Sequence, residues 1–191
     1  MYFCAACGVK NCAKEFGSEG EYPKNCPTLS PVIEECQPMY DDPKYRKLAQ
    51  VSTVCSTDHS EPRVKKTIRF MKEYGIHKVG IALCANLRDD AMKLEKLLRE
   101  EGFQVESVIC KVGHLDRVDV LDLPAAKKAR CNPLAQAEFL NQAGTEMNII
   151  LGLCVGHDTL FIMHSKAQVT VLAAKDHVYK NAPMEFFKNQ G

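Results

Sequence analysis

The sequence has no tryptophan, no apolar run long enough to cross a membrane and no long block of charge of one sign. A membrane span needs roughly 20 consecutive apolar residues, so a transmembrane protein is not expected. The 25 Lys and Arg residues nearly balance the 24 Asp and Glu residues, which leaves a net charge of +1. This balance, with no tryptophan on which bases could stack, argues against nucleic acid or an acidic membrane as a partner.

The first residues also lack the basic segment and long apolar run that mark a secretory signal peptide, so a cytoplasmic protein is expected. Ten cysteines in a reducing compartment need a reason other than disulfide bonds. Clustered cysteines there are typically metal ligands or redox groups. A secreted disulfide scaffold is the competing interpretation. The length of the chain and its helix and strand patterns argue against that scaffold.

The 191 residues divide into two predicted parts, residues 1–60 and residues 61–191. The first part contains six cysteines and five prolines but little hydrophobic periodicity, so a cysteine-rich metal-binding segment of loops and short helices is expected. One helix is predicted there from about Asp42 to Val54. The second part alternates apolar strand patterns with helices. This alternation predicts an α/β fold, a small Rossmann-like parallel sheet with helices on both faces.

Four strands and four helices are predicted in the second part. The strands are Lys78 to Leu83, Gln104 to Cys110, Asn148 to Leu153 and Gln168 to Ala173. The helices run from a cap at Ser60 to a stop at Gly75, from Arg88 to Glu101, from a cap at Asn132 to Ala143 and from Asp158 to His164. No G-x-G-x-x-G motif follows the first strand, so a dinucleotide site is not predicted.

Four cysteines near the N-terminus are the predicted metal ligands: Cys4, Cys7, Cys12 and Cys26. The C-x2-C pair turns the chain back so that two thiolates can meet one ion. Four thiolates suit tetrahedral Zn²⁺ or an iron–sulfur cluster. Zinc ribbons usually have two such pairs, whereas this chain has one. Because proline also follows a ligating cysteine in bacterial ferredoxins, the proline after Cys26 slightly favours the cluster. Cys36 or Cys55 could replace Cys26 as the fourth ligand.

Three of the remaining cysteines, Cys84, Cys110 and Cys154, lie where predicted strands end, and Cys131 lies just before a predicted helix. Ligands of open parallel sheets bind at the carboxyl ends of the strands, so thiols that arrive there predict a second metal or substrate site. Its candidate residues are Cys84, Cys110, Cys131, Cys154 and His157. Gly-His follows two of these cysteines, which lets the chain turn and both His114 and His157 face the same pocket. The alternative is that cysteine serves as a small apolar residue at a strand end.

Two segments carry a family resemblance, Cys131-Asn-Pro-Leu-Ala-Gln-Ala-Glu-Phe-Leu-Asn141 and Gly152-Leu-Cys-Val-Gly-His-Asp158. With the cysteine-rich start, they resemble an uncharacterised family of cysteine-rich prokaryotic proteins that are usually described as metal-binding or zinc-binding. The resemblance covers nearly the whole chain. It implies metal binding by the four N-terminal cysteines. It also marks motif positions at Cys131, Asn132, Cys154, His157 and Asp158.

Three functions stay open at this point, and whether the protein is an enzyme stays open with them. The first is an iron–sulfur protein with redox or sulfur chemistry, which would meet a small-molecule substrate or a redox partner at the second cysteine site. The second is a structural zinc protein whose α/β domain binds a small molecule or a partner without catalysis. The third is a metal-handling or thiol-sensor protein with exposed thiols at Cys131 and Cys154. The first is favoured.

Overall fold

The computed structural model describes residue 2 and residues 4–15, 20–116, 121–124 and 128–188. The chain divides into two compact units, residues 1–54 and residues 55–191. None of the helices in the described ranges is long and apolar enough to cross a membrane.

The N-terminal unit consists of short helical turns joined by loops. Its 3-10 helices are Cys4–Ala6, Asn11–Ala13, Pro27–Leu29 and Gln37–Asp41. Its α-helices are α1, Val32–Cys36, and most of α2, Pro43–Ser56. None of the described residues from 2 to 54 is buried. A unit of this size whose described residues form no buried core needs another source of stability than apolar burial among them.

The second unit is built on a sheet of four parallel strands in the order β2-β1-β3-β4. The strands are β1 Lys78–Leu83, β2 Gln104–Ile109, β3 Met147–Leu151 and β4 Gln168–Ala173. The helices are α3 Arg63–Tyr74, α4 Arg88–Glu100, α5 Pro133–Ala143, α6 His157–His164 and α7 Glu185–Lys188. This architecture confirms the predicted Rossmann-like α/β fold.

Helices cover both faces of the sheet, which is why the two inner strands, β1 and β3, are almost entirely buried. On one face α3 and α4 pack on the sheet, where Met71 and Leu98 share an apolar cluster with Ile81. On the other face α5 and α6 contribute Leu140 and Phe161 to a second cluster. The carboxyl ends of the strands emerge between these layers.

Most of the predicted boundaries in this unit are confirmed, because they rest on local signals. Strands β1 and β4 have the predicted bounds. Helix α5 begins after Asn132, whose side-chain oxygen accepts the Ala135 N–H at 3.1 Å. The same helix ends at Gly144, which adopts the left-handed conformation with φ 68°.

One predicted helix start is wrong. Helix α3 begins at Arg63 rather than after Ser60, because the position before Pro62 disfavours helical backbone. The Ser60 hydroxyl instead donates to Asp58 Oδ1 at 2.7 Å. Helix α6 follows its N-cap Gly156 and begins at His157, next to the predicted start near Asp158.

Glu146 stabilises the start of β1 through two hydrogen bonds. Its carboxylate accepts the backbone N–H of His77 at 2.5 Å and of Lys78 at 2.8 Å. These two bonds lower the pKa of Glu146. The folded pKa is therefore below the unfolded one. The stabilisation is complete at neutral pH and is lost as the pH falls through the folded pKa, below the ordinary glutamate value of about 4.3.

We expect Glu146→Gln to lower the free energy of unfolding at neutral pH by up to about 1 kcal/mol, because an exposed carboxylate is screened by solvent. Urea unfolding followed over a pH series measures this effect. The difference in free energy of unfolding between Glu146→Gln and the wild type should shrink as the pH drops below the ordinary glutamate pKa. A difference that stays constant across the series would show that the carboxylate charge does not contribute.

Candidate functional site

The first cysteine cluster lines a small cavity of about 20 Å³ in the N-terminal unit. Its walls are formed by Cys4, Cys7, Pro23, Asn25, Cys26 and Pro27. A volume of this size holds one or two water-sized atoms. Three of the four predicted metal ligands therefore border the same space, which is called the N-terminal cavity below.

Local turns place these three cysteines. The Cys7 N–H donates to the Cys4 carbonyl at 3.2 Å, which closes the turn of the C-x2-C pair. The Cys26 N–H donates to the Pro23 carbonyl at 2.8 Å, and Cys26 then caps the helical turn Pro27–Leu29. Both turns are short and local, so the cysteine spacing alone indicates them.

Backbone hydrogen bonds favour the thiolate form of Cys7. The N–H groups of Lys10 and Val9 donate to its sulfur, and they lower the pKa of this thiol. Lys10 adopts a left-handed conformation with φ 54°. Since the thiolate rather than the thiol binds metals, these donors favour the form of Cys7 that can bind a metal cation.

The other cysteines of the first sixty residues do not line the N-terminal cavity. Cys12 is exposed in the turn Asn11–Ala13, and Cys36 ends α1. Cys55 is buried in the second unit, where burial raises its pKa. Within the described ranges, no three His, Cys, Asp or Glu side chains are grouped so that they could hold a metal ion. Cys12 as the fourth ligand stays a prediction.

The second cluster lines a cavity of about 10 Å³ at the carboxyl edge of the sheet, which is called the strand-end cavity below. The walls are formed by Cys84, Cys110, Cys131, Gln136, Gly152, Leu153, Cys154 and His157. All five residues predicted for a second site border this one space, although they come from four separate segments. His114 is exposed and is not part of it, so the expectation that both Gly-His segments face one pocket is wrong for His114.

Sheet pairing fixes the backbone of this cluster. The Cys84 N–H donates to a carbonyl of β3 at 3.0 Å, and the Cys110 N–H donates to a carbonyl of β1 at 2.9 Å. The segment that carries Cys131 is tied in because the Asn132 N–H donates to the Cys110 carbonyl at 2.8 Å. Strand β1 lies between β2 and β3, so the cavity occupies the switch point of the strand order, where open α/β sheets usually bind ligands.

The Cys110 thiol is neutral at physiological pH. Burial raises its pKa to about 11, against the opposing effect of the Ala85 N–H, which lies 3.4 Å from the sulfur. The neighbouring thiols of Cys131 and Cys84 raise the pKa further. A neutral thiol is a weak nucleophile, which argues against Cys110 as a reactive sensor.

The same neighbouring cysteines, Cys84 and Cys131, also affect the pKa of the Cys154 thiol. Its pKa is raised first by burial and then by Cys84 and Cys131, while the ammonium groups of Lys175 and Lys111 oppose the shift. The Lys111 ammonium is also held in place, since it donates to the Ala129 carbonyl at 2.6 Å. Two positive charges therefore act on a cluster whose own groups are neutral thiols or anionic thiolates.

Gln136 is the polar side chain of this cavity that the sequence did not indicate. It is fully buried on α5, and its amide nitrogen donates to the carbonyls of Val108 at 2.7 Å and Leu83 at 3.3 Å. These bonds fix the orientation of the amide. Its carbonyl oxygen, Oε1, is buried without a hydrogen-bond partner among the described residues. The available signal was a glutamine at a position where the buried face of α5 calls for an apolar residue.

Comparisons with known proteins identify relatives whose function is also not established. An uncharacterised protein of Methanocaldococcus jannaschii is 40% identical to this chain over 153 residues, which are 77% of this chain and 76% of the relative. No solved structure matches the chain significantly. A family described as "Protein of unknown function" matches residues 26–172, a segment that contains the four strand-end cysteines and Gln136. The expected membership of an uncharacterised family is thereby confirmed, and the chain belongs to the DUF1847 family.

Proposed function

We propose that this protein is a metalloprotein in which a thiolate-bound ion stabilises the N-terminal unit. One observation carries the proposal. The unit has no buried residue among its described residues 2, 4–15 and 20–54, yet it contains five cysteines. Small domains without a core usually depend on metals, disulfides or assembly. A structural zinc site supplies about 10–16 kcal/mol of binding free energy at neutral pH, which is ample for a unit of this size.

Cys4, Cys7 and Cys26 are the proposed ligands, because all three border the N-terminal cavity. The backbone donors at Cys7 support this assignment, since they favour the thiolate. The thiolates would converge on the ion from their positions around the cavity. Because the surrounding loops are exposed, their backbone can adjust as the ion binds.

Cys12 is the proposed fourth ligand. Its turn, Asn11–Ala13, is tied to the segment that leads to Cys26, since the Asn11 side-chain amide donates to the Glu21 carbonyl at 2.5 Å. Neither Cys12 nor Cys36 borders the cavity, so the choice rests on this hydrogen bond, and Cys36 lies farther along the chain, on α1. We expect Cys12→Ser to weaken metal binding more than Cys36→Ser does, as measured by competition with a chelator. Equal effects, or the reverse order, would reject Cys12.

A single ion, with Zn²⁺ as the first candidate, suits a cavity of about 20 Å³ better than a cubane cluster does. An iron–sulfur cluster is the second candidate, because Pro27 follows Cys26 as it does at cluster-ligating cysteines. Metal and sulfide analysis of anaerobically purified protein separates the two. Zinc without colour supports the first, whereas a brown protein with iron and sulfide supports the second.

The test of the metalloprotein itself compares the full-length wild type with Cys7→Ser. We expect the variant to lose one equivalent of metal per chain and to become sensitive to protease within residues 1–54, while residues 55–191 stay protected. Ala6→Ser is the matched control, because it adds the same hydroxyl group at an exposed neighbouring position and keeps both cysteines. A Cys7→Ser protein with unchanged metal content, or a wild type purified without any metal, would overturn the proposal.

A further inference from the structure

We propose that Cys110 and Cys131 are a dithiol–disulfide pair, which reduces small organic disulfides and is regenerated by an external dithiol. Cys131 is the attacking cysteine, and Cys110 is the resolving one. Both border the strand-end cavity. The reaction takes place at the half-buried sulfur of Cys131, so the substrate does not have to enter a space of about 10 Å³. The pair lies in the second unit and does not depend on a metal in the N-terminal one.

The first support is that backbone hydrogen bonds hold the segment of Cys131 against the end of β2 and the loop that follows it. The Asn132 N–H donates to the carbonyl of Cys110 itself at 2.8 Å. The Arg130 N–H donates to the Leu115 carbonyl at 3.0 Å. Because these two donors flank Cys131 on either side, the backbone fixes its position beside Cys110.

The second support is a hydrogen bond between the two cysteine side chains. This bond raises the pKa of Cys110, so the Cys110 thiol is the donor and the sulfur of Cys131 is the acceptor. The two sulfur atoms are therefore in contact before any covalent bond forms. A disulfide needs a sulfur–sulfur distance of about 2.05 Å, and the cavity between the side chains gives them room to approach.

The third support is the difference in exposure between the two thiols. Cys131 is half-buried and can meet a substrate from solvent, whereas Cys110 is only 3% exposed. An external disulfide therefore reaches Cys131 first, and Cys110 can attack only a group that is already attached to Cys131. The partial burial of Cys131 also favours a small, unhindered disulfide over a disulfide within a folded protein.

The reaction consists of two thiol–disulfide exchanges. Cys131 loses its proton to solvent and attacks one sulfur of a disulfide RS–SR, which forms a Cys131–SR mixed disulfide and releases RS⁻ to take up a proton. Cys110 then attacks the Cys131 sulfur, and its proton passes to the second departing RS⁻. The substrate gains two electrons, and the pair is oxidised to the Cys110–Cys131 disulfide. An external dithiol returns the electrons by the same exchange and leaves as its own disulfide.

The test treats full-length, reduced wild-type protein with 2-hydroxyethyl disulfide under anaerobic conditions and maps every cysteine by mass spectrometry. Trypsin and a glutamate-specific protease are used together, because cleavage at Glu138 separates Cys131 from Cys154. We expect a peptide pair linked through Cys110 and Cys131, which dithiothreitol returns to free thiols. An unmodified Cys131, a mixed disulfide that persists on Cys131, or a Cys110 linked to another cysteine would overturn the proposal.

Two variants separate the roles of the cysteines. Cys110→Ala should stop after the first exchange and keep the mixed disulfide on Cys131, and the wild-type map decides the proposal even if this variant fails to fold. Cys154→Ser is the matched control, because Cys154 is half-buried at the same cavity while Cys131 is the hydrogen-bond partner of Cys110. It should still form the linked pair, and loss of that pair would overturn the assignment.

Turnover is measured as the release of 2-mercaptoethanol from the disulfide with dithiothreitol as the reductant. The wild type should exceed the rate of the uncatalysed exchange, and both Cys131→Ser and Cys110→Ala should lose this excess. A wild-type rate equal to the uncatalysed one would overturn the catalytic role. Each mapped product is assigned to named cysteines, so failure of the N-terminal metal site would leave these results unaffected.

Discussion

Replacing Gly80 by alanine is expected to lower the free energy of unfolding of the α/β unit by about 3–5 kcal/mol. Gly80 lies in the centre of β1, directly opposite Asn148 of β3. A Cβ atom at this position would clash with Asn148 Oδ1 and would lie 2.9 Å from Leu140 Cδ1. Both neighbours are fully buried, so neither can move into solvent.

Asn148 is also fixed by hydrogen bonds, and this explains why the expected effect is large. Its side-chain oxygen accepts the Thr145 hydroxyl at 2.8 Å, and its side-chain nitrogen donates to the Ser165 hydroxyl at 2.9 Å. Displacing the amide would break both bonds inside the core. Each buried group left without a partner adds roughly 1–3 kcal/mol to the packing cost.

Urea unfolding followed by far-UV circular dichroism measures this effect. The matched control is Gly8→Ala, because a Cβ atom there has nothing within 4 Å. That control should change stability by no more than about 0.5 kcal/mol. A Gly80→Ala protein as stable as the wild type would show that β1 and β3 can separate, or Asn148 reorient, without cost.

The fold of the second unit was predictable because its signals are local. The run from Lys78 to Leu83 is apolar and short, which indicates a buried strand of a parallel sheet. Asn132 before Pro133, and Gly144 after the last helical residue, mark the two ends of α5. These signals need no knowledge of the tertiary structure. The N-terminal unit has no such periodicity, so the sequence could indicate only the cysteine spacing there.

The rule that ligands of parallel sheets bind at the carboxyl ends of the strands predicted that the strand-end cysteines would meet. It did not predict which other side chains border the cavity. The sequence presents His114 and His157 in equivalent Gly-His segments, and only the chain path after each strand separates them. Gln136 was missed for a different reason. Its importance comes from the carbonyls of Leu83 and Val108, which are far from it in sequence and meet it only in the folded sheet.

Phe161 is the core residue whose removal should disturb the strand-end cavity most directly. It is the largest fully buried side chain of the second unit's described residues and packs in the same cluster as Cys84, Cys110 and Leu153. Phe161→Ala is therefore expected to lower the free energy of unfolding by about 3–5 kcal/mol, since it removes a buried ring and leaves a void. The residues that border the strand-end cavity would then lose part of their support.

Two measurements test this expectation together. Urea unfolding gives the stability, and the rate at which a thiol reagent labels Cys110 reports on the cavity, because this thiol is only 3% exposed in the wild type. Phe139→Ala is the control, since that ring lies on α5 and is 52% exposed. It should change neither quantity appreciably. A destabilised Phe161→Ala protein that still protects Cys110 would mean that sheet pairing alone holds the strand ends. Faster labelling would mean that the core beneath them is also required.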